Sequence, residues 1–196
     1  SLANRWARIS SVEQAAQKKY LRVRKTIEMR DGDKWVRLDP FPGFKLDFAI
    51  DFPHPLFGSE NRHVMIDFAE HSYVREIARA RTFGFMQDVE AMRAAGLGLG
   101  GSLQTAIVLD ETKVLNSEGL RFDNEFVRHK VLDAIGDLYL RGHPLIGQYS
   151  AFKMGHALNN RVARALIHDP DAFEIVTFDA EADVPAAFQG WQMSPA

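Results

Sequence analysis

The 196-residue sequence contains no cysteine. Disulfides, thiolate metal sites and nucleophilic cysteine chemistry are therefore excluded, and any metal must be held by His, Asp or Glu. No stretch approaches the roughly 18 apolar residues of a membrane-spanning helix. The opening "SLANRWARIS" has no apolar core of a signal peptide. These absences set the expectation of a cytoplasmic protein. Excess charge is also lacking: the formal net charge is −2, with both signs mixed along the chain. A nucleic-acid binder would show a strong basic excess instead. There is no internal repeat and no low-complexity segment. What is present is a 46% hydrophobic chain, long enough for one medium domain or two small ones with a real core.

The first half alternates. In "YLRVRKTIEM", Leu21, Val23, Ile27 and Met29 share one face, which predicts a half-buried strand. Asp-Gly in "RDGDKW" is a hairpin signal, and a second strand is expected near Lys34 to Leu38. "FKLDFAIDF" puts Phe44, Leu46, Phe48, Ile50 and Phe52 on one side. "RHVMIDF" does the same with Val64, Ile66 and Phe68. Short connections suggest an antiparallel meander with one apolar face.

Helices are expected to cover that face. "AEHSYVREIARA" and "FMQDVEAMRAAG" have helical spacing, with Phe85, Val89 and Met92 on one side of the second and Gly96 placed to end it. "RARTFGF" between them reads as a loop or helix end. "GLGLGGSLQTAIVLDETKVLN" reads as an insertion with strands at Ala106 to Leu109 and Lys113 to Leu115. Its "GGS" lacks the Lys-Ser/Thr ending and the preceding strand of a phosphate loop. A long helix is expected to start with Asp123 as N-cap and to stop before Gly142 and Pro144. A strand over Leu145 to Phe152, a helix carrying Leu158, Val162, Ala165 and Leu166 inward, and a closing strand in "FEIVTF" complete the pattern. The expected class is α+β: an antiparallel-rich mixed sheet covered on one face by helices.

On the long helix, Val127, Val131, Ala134, Ile135, Leu138 and Tyr139 fall on a broad apolar arc. Phe126, His129, Lys130, Asp133 and Asp137 fall opposite, within roughly 100°. His129 and Asp133 are four residues apart and reach one point in space, a two-point grip on a metal. A solvated face with an i,i+4 His–Asp pair has the same spacing, and the pattern alone leaves both readings open. His156 and Lys153 sit at the start of the last helix, where unpaired N–H groups favour negative charge; His156 there also suits a simple cap. Thr82 and Phe83 suit either a site wall or a surface patch. His54, His63, His71, His143 and His168 read as loop, outward-facing or element-end residues.

Together, "RARTFGFMQDVE", "LGLGGS", "AIVLDETKVLNSEGLRFDNEFVRHKVLDAIGDL" and "KMGHALNN" resemble the UDP-3-O-acyl-N-acetylglucosamine deacetylases, zinc amidases of lipid A biosynthesis in Gram-negative bacteria. The resemblance runs from about Lys18 to about Phe178. It implies the second half of a two-domain, β-α-α-β-like fold. The implied organisation is an unmatched segment or linker over 1–17, a deacetylase domain over 18–178 with a small βαβ-type insertion at about 97–115, and an irregular tail over 179–196. His129 and Asp133 match two of three zinc ligands, and Lys130 an active-site lysine. Asp137 matches the carboxylate that orients a catalytic histidine, and His156 that histidine. Thr82 matches a hydroxyl near the oxyanion, and Phe83 an aromatic against the sugar. The insertion, with Gly101, Ser102, Ala106 and Val108, matches the passage for the substrate's acyl chain. Asp51, Phe52 and Lys153 match positions near the uridine and diphosphate.

The sequence departs from the family in two places. No residue pair before Lys18 resembles the H-E type motif that supplies the third zinc ligand and the general base from the first domain. Met154 stands where the family usually has serine. The expectation is therefore a catalytic half whose first domain is missing, inactive alone, with an exposed interdomain face that self-associates. A non-catalytic module that holds the acyl chain and the UDP-sugar is the competing expectation.

Overall fold

The computed structural model describes residues 16–52, 58, 61–97 and 100–189; His54 lies outside them. Nine strands and four helices are present among these residues: β1 (Tyr20–Val23), β2 (Ile27–Asp31), β3 (Lys34–Asp39), β4 (Phe44–Ala49), β5 (His63–Asp67), α1 (Tyr73–Glu76), β6 (Thr82–Phe85), α2 (Met86–Ala94), β7 (Ala106–Leu109), α3 (Glu125–Tyr139), β8 (Leu145–Phe152), α4 (His156–His168) and β9 (Phe173–Val176).

Two hairpins, β2–β3 and β4–β5, form as the alternation and the Asp-Gly turn predict, with Gly32 at a φ of 63° in the first turn. They do not join into a meander. Strand β8, much later in the chain, lies between them. It pairs antiparallel with β3, from Trp35↔Phe152 to Asp39↔Gln148, and parallel with β4, from Phe44↔Gly147 to Ala49↔Phe152. Its first residues also pair parallel with β1, and β9 runs antiparallel along β1. The result is a seven-stranded, antiparallel-rich mixed sheet. Gly147 is required where these strands crowd. A Cβ there would lie 2.8 Å from Val23 Cγ2 and 3.2 Å from the Asp39 carbonyl oxygen.

The expected single strand over Tyr20 to Met29 is split. Residues 24–26 break it, so β1 and β2 pair with different neighbours. Alternation reports a face, not a partner, and it runs on through the break.

Helix α3 packs over β4 and β5, and α4 packs over β2 and β3. Between them and the sheet lie Val36, Leu38, Leu46, Phe48, Val131, Ala134, Val162 and Leu166, all at 1% exposure or less. Burial of this kind is worth about 1.5–3 kcal/mol per large apolar side chain. Four helix readings need correction. The N-cap of α3 is Asn124, not Asp123, and makes no side-chain cap bond. Phe126, placed on the polar side by the helical wheel, is fully buried. Tyr139, placed on the apolar arc, is 58% exposed. The segment "AEHSYVREIARA" yields one helical turn, Tyr73–Glu76.

"RARTFGF" is not a loop. Its Thr82–Phe85 is β6, which pairs parallel with β7 through α2, so the βαβ unit begins at Thr82 rather than at 97. Helix α2 buries no residue, and Met92 on its expected inner face is 47% exposed. Gly96 closes α2 at a φ of 73°. The expected strand over Lys113 to Leu115 is reduced to a bridge between Leu109 and Val114. After β9, two 3₁₀ turns (Glu181–Asp183 and Ala186–Phe188) bring Phe188 against Tyr20 and Phe44.

Candidate metal and catalytic site

The polar stripe of α3 and the start of α4 meet at the end of the sheet where β8 finishes. On α3, His129 Nε2 lies 3.3 Å from Asp133 Oδ1, one turn on, while Lys130 Nζ donates to Asp133 Oδ2 at 3.1 Å. The side chains of His129 and Asp133 are only 11% and 14% exposed. Burial pulls the His129 ring below the ordinary histidine range, against the pull of Asp133. A neutral imidazole is the form that ligates metal. Its Nδ1 is buried, with the Ala80 backbone near it but no full hydrogen bond.

His156 is the first residue of α4; Gly155, not His156, is the N-cap. Its ring is 68% exposed, with Nδ1 2.8 Å from Asp137 Oδ2 and Nε2 3.9 Å from Asp133 Oδ2. A carboxylate only accepts, so the Nδ1 proton points at Asp137. The same Asp137 oxygen accepts from Asn159 Nδ2 at 2.8 Å, and Asn159 Oδ1 accepts from the Tyr149 hydroxyl at 2.6 Å. Tyr149 and Asn159 are both fully buried. Burial, reinforced by Asp137, pushes the Tyr149 phenol far up, so it stays a donor. A relay thus runs from the core strand β8 to the exposed imidazole. Asn159 and Tyr149 were missed by the sequence reading; no local pattern joins Tyr149 to α4.

One wall is aromatic. Phe83, on β6, stacks edge-on to Phe126 at 5.0 Å, to Phe52 at 5.4 Å and to His129 at 6.3 Å, and Lys130 Nζ sits 5.7 Å from its centroid. Thr82, beside it, is exposed. Both are held by Arg81, which sequence reasoning also missed. Arg81 Nε and backbone N–H donate to Glu125 Oε1 at 2.9 Å each, and its Nη atoms reach Glu118 and the Gly119 carbonyl. The pair is almost wholly buried, at 2% and 0% side-chain exposure. It pins the start of β6 to the first turn of α3, one turn before His129.

The remaining candidates have partners of their own. Lys153, in the left-handed region at a φ of 52°, bridges Asp33 at 2.6 Å and Asp51 at 3.0 Å, and Arg62 donates to Asp51 at 2.8 Å. Met154, beside it, is buried at 6% exposure. On the βαβ unit, Gly101 and Ser102 are exposed, Ala106 is half-buried and Val108 is buried. His63 faces outward and meets Asp47 at 2.6 Å.

Two ligands of a tetrahedral zinc ion, at about 2.0–2.2 Å each, stand roughly 3.4 Å apart. The 3.3 Å between His129 Nε2 and Asp133 Oδ1 fits two such corners. No cluster of three metal-ligating side chains occurs among the described residues. The donor set therefore fits half a site.

Sequence comparison supplies the family. The family model described as UDP-3-O-acyl N-acetylglycosamine deacetylase matches residues 3–168. Proteins named UDP-3-O-acyl-N-acetylglucosamine deacetylase from Shewanella frigidimarina and Shewanella denitrificans are each 56% identical over 176 residues, and one from Shewanella violacea is 54% identical. Each match covers 90% of this chain and 58% of the relative, so the chain spans a little over half the length of the curated proteins it matches. With a family model over most of its length and relatives at this identity, the chain belongs to the UDP-3-O-acyl N-acetylglycosamine deacetylase family.

Proposed function

We propose that this chain carries the catalytic half of a zinc-dependent deacetylase that removes the N-acetyl group of UDP-3-O-acyl-N-acetylglucosamine in lipid A biosynthesis. The observation that carries the reading is the approach of His129 and His156 to one carboxylate, Asp133, with Asp137 behind the exposed imidazole. His129 and Asp133 would hold zinc; a third ligand and a general base would come from outside the described residues. Bound zinc supplies a Lewis acid and lowers the pKa of a water molecule.

The chain's own groups supply the rest. Asp137 accepts from His156 Nδ1 and fixes the rotation of the ring, leaving Nε2 facing the Asp133 side. From there His156 donates to the oxyanion and passes a proton to the departing amine. The Thr82 hydroxyl is assigned a place near the oxyanion by the family resemblance, and Lys130 adds positive charge beside Asp133. Phe83 offers a face to the sugar. The βαβ unit, with Gly101, Ser102, Ala106 and Val108, receives the acyl chain. Asp51, Phe52 and Lys153 lie toward the nucleotide end.

Two ligands without the base make this chain inactive by itself. Exposed apolar side chains on the outer helix surfaces (Leu140, Tyr139 and Ile167) would pair with the remainder of the protein or with a second copy. The test is a deacetylation assay on the chain alone and on the chain joined behind the N-terminal part of the Shewanella frigidimarina relative. Zinc-dependent turnover only in the joined protein supports the reading. No turnover in a folded, zinc-loaded joined protein overturns it.

A further inference from the structure

His156 opens α4, and the N-cap before it, Gly155, has no side chain to close the helix. Helix ends fray, and the His156 side chain is 68% exposed. A group that must deliver a proton to one atom needs a fixed reference. Asp137 holds the ring, yet it stands on the polar stripe of α3 with 20% of its own side chain exposed, where a short side chain has several rotamers to choose from.

Asn159 removes that freedom. It lies one turn after His156, on the same face of α4. Its Nδ2 donates to Asp137 Oδ2 at 2.8 Å, and His156 Nδ1 meets the same oxygen at 2.8 Å. One carboxylate oxygen is thus gripped by two residues of one helix, one buried and one exposed. An amide presented the other way round would set its oxygen against the carboxylate. Tyr149 decides the direction. Its hydroxyl donates to Asn159 Oδ1 at 2.6 Å, which leaves Nδ2 for Asp137. The ring of Tyr149 is fixed in turn by the sheet: β8 sets it opposite Leu38 and Leu46, and it packs edge-on to Phe48 at 5.4 Å.

We propose that Asn159 is a positioning residue of the candidate active site: it holds the Asp137 carboxylate at the angle that turns His156 Nε2 toward Asp133, with Tyr149 setting the direction of its amide. The proposal rests on the deacetylase reading for its chemistry and on the hydrogen bonds for its placement. Asn159 acts through Asp137, not on the substrate.

Asn159→Leu, Tyr149→Phe and the two together, made in the joined protein, separate positioning from packing. Asn159→Leu is expected to lower kcat by about tenfold to a hundredfold, the scale of a misplaced catalytic group, with KM within about twofold. Tyr149→Phe should lose less. The double variant removes the stranded hydroxyl and regains stability, but its kcat is expected to stay at the level of Asn159→Leu. A kcat that recovers with stability would overturn the proposal, and so would wild-type kcat in Asn159→Leu. A second readout needs no turnover. In the 196-residue chain alone, NMR couplings are expected to show His156 in one χ1 rotamer in the wild type and averaged over several in Asn159→Leu. The same rotamer behaviour in both proteins would overturn the proposal. Absence of turnover in the joined wild type would strike the deacetylase reading instead, and the rotamer measurement would still decide whether Asn159 positions His156.

Discussion

Arg81 and Glu125, 44 residues apart, form a buried ion pair in which the guanidinium and the backbone N–H of one residue converge on a single carboxylate of the other. Glu125 is the first residue of α3 and Arg81 immediately precedes β6, so the pair joins the two elements that present His129 and Thr82. Removing one partner leaves a buried charge uncompensated, which typically costs about 3–5 kcal/mol. Glu125→Ala should lose stability on that scale in denaturant unfolding. A loss below about 1 kcal/mol would show that the pair does not hold these elements together.

The same carboxyl gives the fold an acid limit. Burial alone would raise Glu125, but hydrogen bonds from the Arg81 side chain and from the backbone N–H groups of Arg121 and Arg81 outweigh it, and the group is held below its ordinary value. A carboxyl depressed in the folded state contributes stability above its unfolded value, and that contribution is lost as pH falls through the folded value. Stability should therefore drop on acidification below the ordinary glutamate range. In Glu125→Gln that part of the slope should be missing; an unchanged pH profile would contradict the assignment.

Tyr149, Asn159 and Asp137 form a chain of hydrogen bonds from the core to His156. Asn159→Leu strands the Tyr149 hydroxyl, a loss of about 1–3 kcal/mol. Adding Tyr149→Phe removes the stranded group and should restore part of it. A double-mutant cycle with no coupling between the two positions would show that they are independent.

Gly136 lies in the interior of α3, is exposed, and has nothing within 4 Å of where a Cβ would stand. Gly136→Ala should stabilise this chain by up to about 1 kcal/mol through helix propensity alone. A destabilised variant would mean that the helix surface is already covered in solution, as self-association through that face would bring about.

Much of this architecture was legible in the sequence. The alternation over Phe44 to Ala49, the Asp-Gly hairpin and the i,i+4 spacing of His129 and Asp133 are local patterns, and local patterns survive folding. What stayed hidden was long-range. Nothing in residues 27–67 announces that β8 will enter between two hairpins, because a strand's alternation is the same whichever partner it takes. Glu125 reads as an ordinary acid in a helix's first turn until Arg81 arrives to bury it. Phe126 was assigned to the polar side because a helical wheel has one core in view, while α3 packs against Phe83 of β6 as well as against the sheet. The ligand pair and Asp137 were visible as spacing on one helix; that His156 would meet them from a second helix was implied by resemblance alone.

The most direct test of the half-site is a zinc titration of the metal-free chain, wild type beside His129→Ala, with deacetylation assayed in the same samples. The account predicts weak zinc binding that is lost in His129→Ala, and no turnover in either protein. Tight, His129-dependent binding with turnover would contradict it, because a third ligand and a base would then be present without any further part of the protein.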